Sequence, residues 1–323
     1  MTFLLSDEQR AFAASVRELL AKSDVPAVAT DWAAGRPESG RALWTRLAEL
    51  GVTGLAIDED HGGLAADPVD LVVAFEELGR AAVPGPLIES IAVLPTLLAG
   101  AELAADWLPK LAEGAALATL ALPPHLPHAL DADTAELCLL VEGGHLHTTE
   151  TVGAPKESVD PTRRLVAVRA AEDLGAIDAS RAFDTGVLAC AAELLGAGHA
   201  LLAAAVEHAG NRRQFGRPIG KFQAVKHQLA NALVGLELSR PLVYGAAIAL
   251  REESATVARD VSAAKVACAD AADAAARAAL QVHGALGYTR ECAVAAFLLR
   301  VRALRSAWGT AAFHRARVMK ALV

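Results

Sequence analysis

Residues 212–230, RRQFGRPIGKFQAVKHQLA, form a basic, glycine-containing loop between two long helical patterns. The pattern before the loop predicts a helix from about Thr185 to Asn211, and the pattern after it predicts one from about Ile219 to Arg251. At 1.5 Å per residue the second helix would be about 50 Å long, which exceeds the width of a small domain. We therefore predict a C-terminal helical domain, residues 181–323, that packs against other subunits.

Two further segments precede this domain. Residues 1–114 have helical periodicity, beginning with a capping-box pattern at Ser6 and Gln9. In residues 115–180 the pattern changes to short strands, with apolar runs at 136–141 and 145–149 on either side of Gly143-Gly144 and a third at 164–169. The predicted fold class is therefore mostly α with a small central β domain between two helical domains.

The composition excludes several classes of protein. Hydrophobic residues make up 54% of the 323 residues, which is enough for a buried core and too much for a disordered chain. A net charge of −8 argues against nucleic acid as a partner, because binding to phosphates requires concentrated positive charge. We found no uninterrupted apolar run of about 20 residues and no secretory pattern at the acidic N-terminus, so we expect a cytoplasmic protein without a membrane span.

Several possible sites are set aside on their spacing. The four cysteines lie too far apart for a disulfide framework or a thiolate zinc site, and we expect them to be free thiols. The histidines of the pairs His125/His128 and His145/His147 lack accompanying carboxylates or thiols and are interpreted as surface residues, so no metal site is predicted. Arg163-Arg164 and Glu252-Glu253 are interpreted as solvated charges.

Four motifs together resemble the acyl-CoA dehydrogenase family. They are the loop at 212–230, the sequence QVHGALGYTRE at 281–291, EDHGGL at 59–64 and EELGR at 76–80. The resemblance implies the order helical domain, β domain, C-terminal four-helix bundle. It also implies FAD bound between subunits and α,β-dehydrogenation of an acyl-CoA thioester, with the electrons passed on to an electron-transfer acceptor.

In this family the C-terminal domain of one subunit holds the adenosine and pyrophosphate end of a neighbour's FAD. The chemistry suits a diphosphate, because guanidinium and amide groups donate to its oxygens and glycine lets backbone N–H groups approach. An alternative is a cluster that only stabilises the oligomer, and Ala285 replaces a usual second glycine. The matching residues are Arg212, Gln214, Phe215, Gln223, Gln281 and Gly284.

The catalytic base of the family is missing from its usual places. Removing the weakly acidic α-proton of a thioester requires a positioned carboxylate. Most members carry it in a Glu-Gly-Thr triplet, where this chain has Trp308-Gly309-Thr310, and a second subgroup carries it at the position of Gly186. Asp184 is the nearby carboxylate, interpreted as the N-cap of the helix from Thr185 and only as a weak candidate for a base.

The β domain also departs from the family pattern. It is several tens of residues shorter, and it lacks the Thr-Glu-Pro…Gly-Ser-Asp segment and the Trp-x-Thr strand that lie along the flavin. This combination resembles the short subunits of heteromeric α2β2 acyl-CoA dehydrogenases, which pair with a full-length partner subunit carrying the glutamate. Many of those complexes act on CoA thioesters of steroid side chains or rings.

Three functions remain open on sequence. The first is the subunit without a base in such a heterotetramer, with FAD as cofactor and an acyl-CoA as substrate. The second is a self-sufficient homo-oligomeric dehydrogenase that uses Asp184. The third is a non-catalytic scaffold or acyl-CoA-binding homologue.

Overall fold

The computed structural model describes residues 4–289 and 292–323, and begins with a layer of helices. The capping box at the first helix is confirmed, since Ser6 and Gln9 each bond the other's backbone N–H. The second helix has a local start signal as well, since Asp24 caps it and Pro26 lies in its first turn. The helices are α1 (Asp7–Ala21), α2 (Val25–Ala33), α3 (Glu38–Glu49), α4 (Pro68–Ala81), a π-helical turn (Ile88–Val93) continuing into α5 (Leu94–Leu98), and α6 (Ala104–Ala112).

A five-stranded sheet follows, in the order β1-β3-β4-β5-β2. Strand β1 is parallel to β3, and the other neighbours are antiparallel. The predicted hairpin is confirmed: Glu142 pairs with His145, and Gly143 and Gly144 form the turn with φ of +60° and +82°. The strands are β1 (Ala118–Ala121), β2 (Ala129–Leu130), β3 (Leu137–Glu142), β4 (His145–Lys156) and β5 (Leu165–Ala176).

The C-terminal part contains three long helices and two shorter ones. The first begins at Ser180, five residues before the predicted Thr185, and the second is preceded by a 3-10 turn at Ile219–Lys221. The elements are α7 (Ser180–Asn211), β6 (Arg213–Gln214), β7 (Arg217–Pro218), α8 (Gln223–Arg251), α9 (Val257–His283), α10 (Ala293–Leu304) and α11 (Ala311–Lys320). Helices α7 to α10 form the expected bundle, and α11 packs on α9 as a fifth helix.

Helix α7 is the centre of the fold. It crosses α4 at Gly79 and Gly196, where an added Cβ would lie 2.2 Å from the carbonyl oxygen of Glu193 and 1.9 Å from that of Glu76. The two backbones are therefore in contact, and only glycine fits at the crossing. By length and composition α7 and α8 could each cross a membrane. In the fold, however, 78% of the apolar 18-residue stretch of α7 is buried, against 44% of that of α8.

Buried charges hold the β domain against the helices. Arg300 of α10 donates to Asp160 in the β4–β5 connection (2.6 Å), to Glu193 of α7 (2.8 Å) and to the carbonyl oxygen of Val83 (2.9 Å). The interpretation of Arg163-Arg164 as solvated charges is wrong. Arg163 is 8% exposed, and the Arg164 guanidinium lies 3.0 Å from the carboxylate of Asp133 and 3.8 Å from that of the buried Asp131.

Candidate functional site

The two positions at which the resemblance to the family places a catalytic glutamate, residues 186 and 308, are in contact in this chain. The indole of Trp308 lies against Gly186 of α7, where an added Cβ would be 2.6 Å from Cζ3 of the indole and 2.8 Å from Cγ2 of Val93. Trp308 itself is fully buried and has a φ of +59°. One indole therefore occupies both positions, and no side chain larger than hydrogen fits at residue 186 without displacing it.

Aromatic side chains surround this indole. The rings of Phe183 and Trp308 are 6.1 Å apart, and Phe313 meets Phe183 edge-on at 6.0 Å. The ring of His125 packs against both phenylalanines, with centroids 4.1 Å from Phe313 and 5.1 Å from Phe183. We call this group, together with Gly186, the indole cluster. Burial and the nearby Arg317 cation lower the pKa of His125, so a neutral imidazole is favoured among these aromatic rings.

Buried polar groups fix the loop that carries Trp308. His314 bonds the carbonyl oxygen of Trp308 through Nε2 (2.8 Å) and the hydroxyl of Ser262 through Nδ1 (3.0 Å). Burial lowers the pKa of His314 to about 4, so the ring is neutral and Nε2–H is the donor to the carbonyl. Lys265 donates to the carbonyl oxygen of Leu304 (2.7 Å). The indole is thus held in place by its backbone.

The interpretation of Asp184 as an N-cap is wrong. It is the fifth residue of α7, and residue 179 occupies the N-cap position. The helix begins earlier than predicted, at Ser180, whose backbone N–H donates to the carboxylate of Asp178 (2.9 Å). Asp184 is 6% exposed and bonded to Arg317, which also lies over the ring of Phe183. Burial raises the pKa of Asp184 while Arg317 opposes that rise, so the carboxylate serves an ion pair.

The other candidate residues lie at the opposite end of α7. All six of them are exposed, and Phe215 is 90% exposed at the tip of the β6–β7 hairpin. The rings of Phe215 and Phe222 are 6.1 Å apart, which brings the hairpin tip next to the first residue of α8, Gln223. We call the set the diphosphate cradle: Arg212, Gln214, Phe215, Gln223, Gln281 and Gly284.

Two histidines connect the parts of this cradle. The backbone N–H of Arg212 donates to the carbonyl oxygen of His208 (2.8 Å), and the ring of His208 stacks on that of His283 at 4.2 Å. His283 directly precedes Gly284, which ends α9 with a φ of +60° and has open space where a Cβ would be. The structure thus brings Arg212 to the same end of the bundle as Gln281 and Gly284.

The cradle fits the diphosphate of a dinucleotide by its chemistry. Arg212 offers a forked donor, the two glutamines at 214 and 281 offer amides, and the open space at Gly284 leaves its backbone accessible. Among residues 4–289 and 292–323 no cluster of histidine, cysteine or acidic side chains could hold a metal ion. The geometry favours an organic phosphate ligand at a surface that is open in the single chain.

Comparison with known proteins identifies the family. Models of the acyl-CoA dehydrogenase N-terminal and C-terminal domains match residues 6–115 and 174–323. The chain belongs to the acyl-CoA dehydrogenase family. It is 33% identical to the acyl-CoA dehydrogenase IpdE2 of Mycobacterium tuberculosis over 287 residues, which cover 88% of each chain.

Solved structures of this family share the fold. The ChsE4–ChsE5 complex from Mycobacterium tuberculosis matches with a TM-score of 0.87 at 21% identity, over 100% of this chain and 99% of the other. A Tcur3481–Tcur3483 steroid ACAD matches with a TM-score of 0.85 at 20% identity, over 98% of both chains. FAD is the cofactor of the family, and the donor set of the cradle suits its diphosphate.

The sequence reasoning missed the partners that complete both regions. Phe183 and Phe313 carry no motif, and the packing of Phe183 on Trp308 and of Phe313 on Phe183 depends on the fold. His208 had no visible signal either, whereas His283 was noted only as a neighbour of Gly284. One usable signal was the helical spacing of His208 and Arg212, which places both at the same end of α7.

Proposed function

We propose that this chain is the subunit without a catalytic base in a heteromeric, FAD-dependent acyl-CoA dehydrogenase. In that assembly a full-length partner subunit supplies the glutamate, and this chain supplies the diphosphate cradle for the adenosine end of FAD. The complex carries out α,β-dehydrogenation of an acyl-CoA thioester.

The contact between Trp308 and Gly186 carries the proposal. Tryptophan has no group that accepts a proton at neutral pH, and its ring leaves no room for a carboxylate at residue 186. The remaining carboxylate, Asp184, is paired with Arg317. A self-sufficient enzyme would need one of these three positions as its base, so the packing favours a partner that provides it.

The exposed cradle supports the second half of the proposal. A scaffold that had lost its ligand would have no need for a donor set of this kind at its surface, with an arginine and two amides at one helix end. Bound there, FAD would supply the acceptor for the hydride that leaves the β-carbon. This chain's own residues bind and orient the diphosphate, while the indole cluster excludes substrate and water from its own base positions.

For the substrate we propose a steroid-derived CoA thioester, with an electron-transfer protein as acceptor. The support is the similarity of this chain to IpdE2 and the fold that it shares with a steroid ACAD and with the ChsE4–ChsE5 complex. We further propose that the complex works in the cytoplasm, in line with the expectation from sequence.

Co-expression with a full-length family member tests this function. Alone, the chain should purify without yellow colour or with little flavin. With its partner it should copurify as a yellow heterotetramer that contains one FAD for each pair of unlike chains. A matched control is the same partner expressed alone, which should carry less flavin than the complex because the cradle of this chain is missing from that preparation.

Two results would contradict the proposal. A yellow homo-oligomer of this chain with one FAD per chain, reduced by an acyl-CoA, would establish the self-sufficient enzyme. If the Asp184→Asn variant of that homo-oligomer kept its flavin but lost reduction, the aspartate would be its base. Absence of FAD binding by the chain both alone and with the partner would establish the scaffold.

A further inference from the structure

The stacked histidines beside the diphosphate cradle have no counterpart in the function proposed above. His208 lies in the last turn of α7 and His283 ends α9, and their rings are 4.2 Å apart at an angle of 29°. Both side chains are only half-buried, so solvent protons reach them. Nδ1 of His283 donates to the carbonyl oxygen of Ala279 (2.8 Å), which leaves its Nε2 available.

The surroundings of this pair are cationic. The charged groups that act on His208 are His283 and Arg212, and with burial they lower its pKa. The stacking distance is short enough that two imidazolium rings would repel each other strongly. The elements packed around this end also carry Glu207, Arg213, Arg217, Lys221, Lys226 and His227.

We propose that the His208–His283 pair is a further part of the diphosphate site and takes up one proton when a diphosphate occupies the cradle. This inference rests on the proposed function, because it assumes that FAD binds at Arg212. The physical reason is charge: a diphosphate adds two negative charges beside Arg212, which opposes the burial and the neighbouring cations that lower the pKa of His208. One imidazolium then donates to the ligand or interacts with it through space.

The sign of the pH dependence follows from this proton uptake. If the complex with FAD holds one more proton than the free protein, FAD binds more tightly as the pH falls. Each unit by which the ligand raises the pKa of the pair corresponds to about a tenfold gain in affinity. FAD affinity stops changing with pH at low pH, where the free protein also holds the proton. It also stops changing at high pH, where neither the free protein nor its complex with FAD holds it.

FAD affinity of the heterotetramer, measured by equilibrium dialysis from about pH 6 to about pH 8, tests this inference. The unmodified complex should bind FAD several-fold more tightly at the lower pH. Calorimetry in two buffers of different ionisation enthalpy should detect proton uptake. The double variant His208→Phe/His283→Gln should bind FAD with a nearly flat pH profile, because neither residue 208 nor residue 283 can then take up the proton, and the phenylalanine keeps a flat ring in the stack. His61→Gln, in the N-terminal domain, is the matched control and should keep the slope.

The outcomes separate this inference from the proposed function. If Arg212→Ala weakens FAD binding but the double histidine variant keeps the pH slope and proton uptake of the unmodified complex, the cradle stands and the role of the histidine pair is wrong. A flat profile in the unmodified complex would also overturn it. If Arg212→Ala leaves FAD binding unchanged, the cradle itself is wrong.

Discussion

The two ends of helix α7 have opposite character. Near its start, Gly186 lies under a fully buried indole within a cluster of aromatic rings. About 40 Å further along, the helix ends at exposed, cationic residues around Arg212. A chain that had drifted into a pure scaffold would have no reason to keep the second end open while the first is closed. This contrast is what the proposed function expects of a subunit that binds FAD and leaves proton abstraction to its partner.

Replacing Trp308 by alanine should have the largest effect on stability, and the effect should be confined to the indole cluster. Truncation of a fully buried tryptophan leaves a cavity and typically costs about 3–5 kcal/mol of stability. FAD affinity of the complex should stay nearly unchanged, because the cradle lies at the other end of α7. Chemical denaturation and flavin dialysis on the same preparation measure both. A parallel loss of flavin in the folded variant would show that the two ends are coupled.

Acid should destabilise the fold around the indole cluster through protonation of His314. Its pKa is about 4 in the native state and about 6.5 when unfolded, so the unfolded chain takes up the proton first as the pH falls. The stabilisation from neutral His314 is complete above about pH 6.5 and is lost towards pH 4, by about 3 kcal/mol.

Denaturant midpoints measured across this range should fall for the unmodified chain. They should fall less for His314→Gln, which keeps a donor for the carbonyl oxygen of Trp308 but does not titrate. Equal slopes for the two proteins would mean that His314 does not stay neutral in the native state.

Replacing Arg212 by alanine tests the diphosphate cradle. Loss of a charge-assisted bond costs about 1.5–3 kcal/mol, or roughly a ten- to hundredfold loss of FAD affinity. The complex should remain assembled, and activity should return with excess FAD. Arg212→Lys should restore only part of the affinity because lysine cannot present a planar fork. A complex that holds its flavin through extensive dialysis after Arg212→Ala would favour the scaffold.

A smaller effect is expected from Gly186→Ala, which adds one methyl group against the indole. Overpacking of this kind costs about 1–3 kcal/mol. Combined with Trp308→Ala, the same substitution should cost much less, because the cavity accommodates the methyl group. A double-mutant cycle on unfolding free energies measures this coupling. Additive effects would show that residues 186 and 308 do not share one volume.

The sequence predicted local features of this molecule more completely than contacts between distant residues. The hairpin at Gly143-Gly144 and the capping box at Ser6 depend on neighbouring residues, and both are confirmed. The start of α7 was misplaced because Asp184 was interpreted as the capping residue, whereas the carboxylate that bonds the first turn is that of Asp178.

For the candidate site, the sequence predicted which residues matter but not how they pack together. The residues at 186 and 308 could be identified by resemblance to the family, but their mutual contact joins segments far apart in the chain. The stacking of His208 on His283 has the same origin, since it depends on how α7 and α9 end side by side. Arg164 was interpreted as solvated because its acidic partner Asp131 is distant in the sequence, with strands β3 and β4 between them.

Flavin reduction in a complex whose partner subunit has its catalytic glutamate replaced by glutamine tests the central claim most directly. The complex is titrated anaerobically with an acyl-CoA that fully bleaches the flavin of the unmodified heterotetramer. Because this chain carries no base at residues 186 or 308 and Asp184 is paired with Arg317, we predict that the flavin stays oxidised at saturating substrate. Bleaching that persists in this variant and disappears on Asp184→Asn would place a working base in this chain and contradict the account.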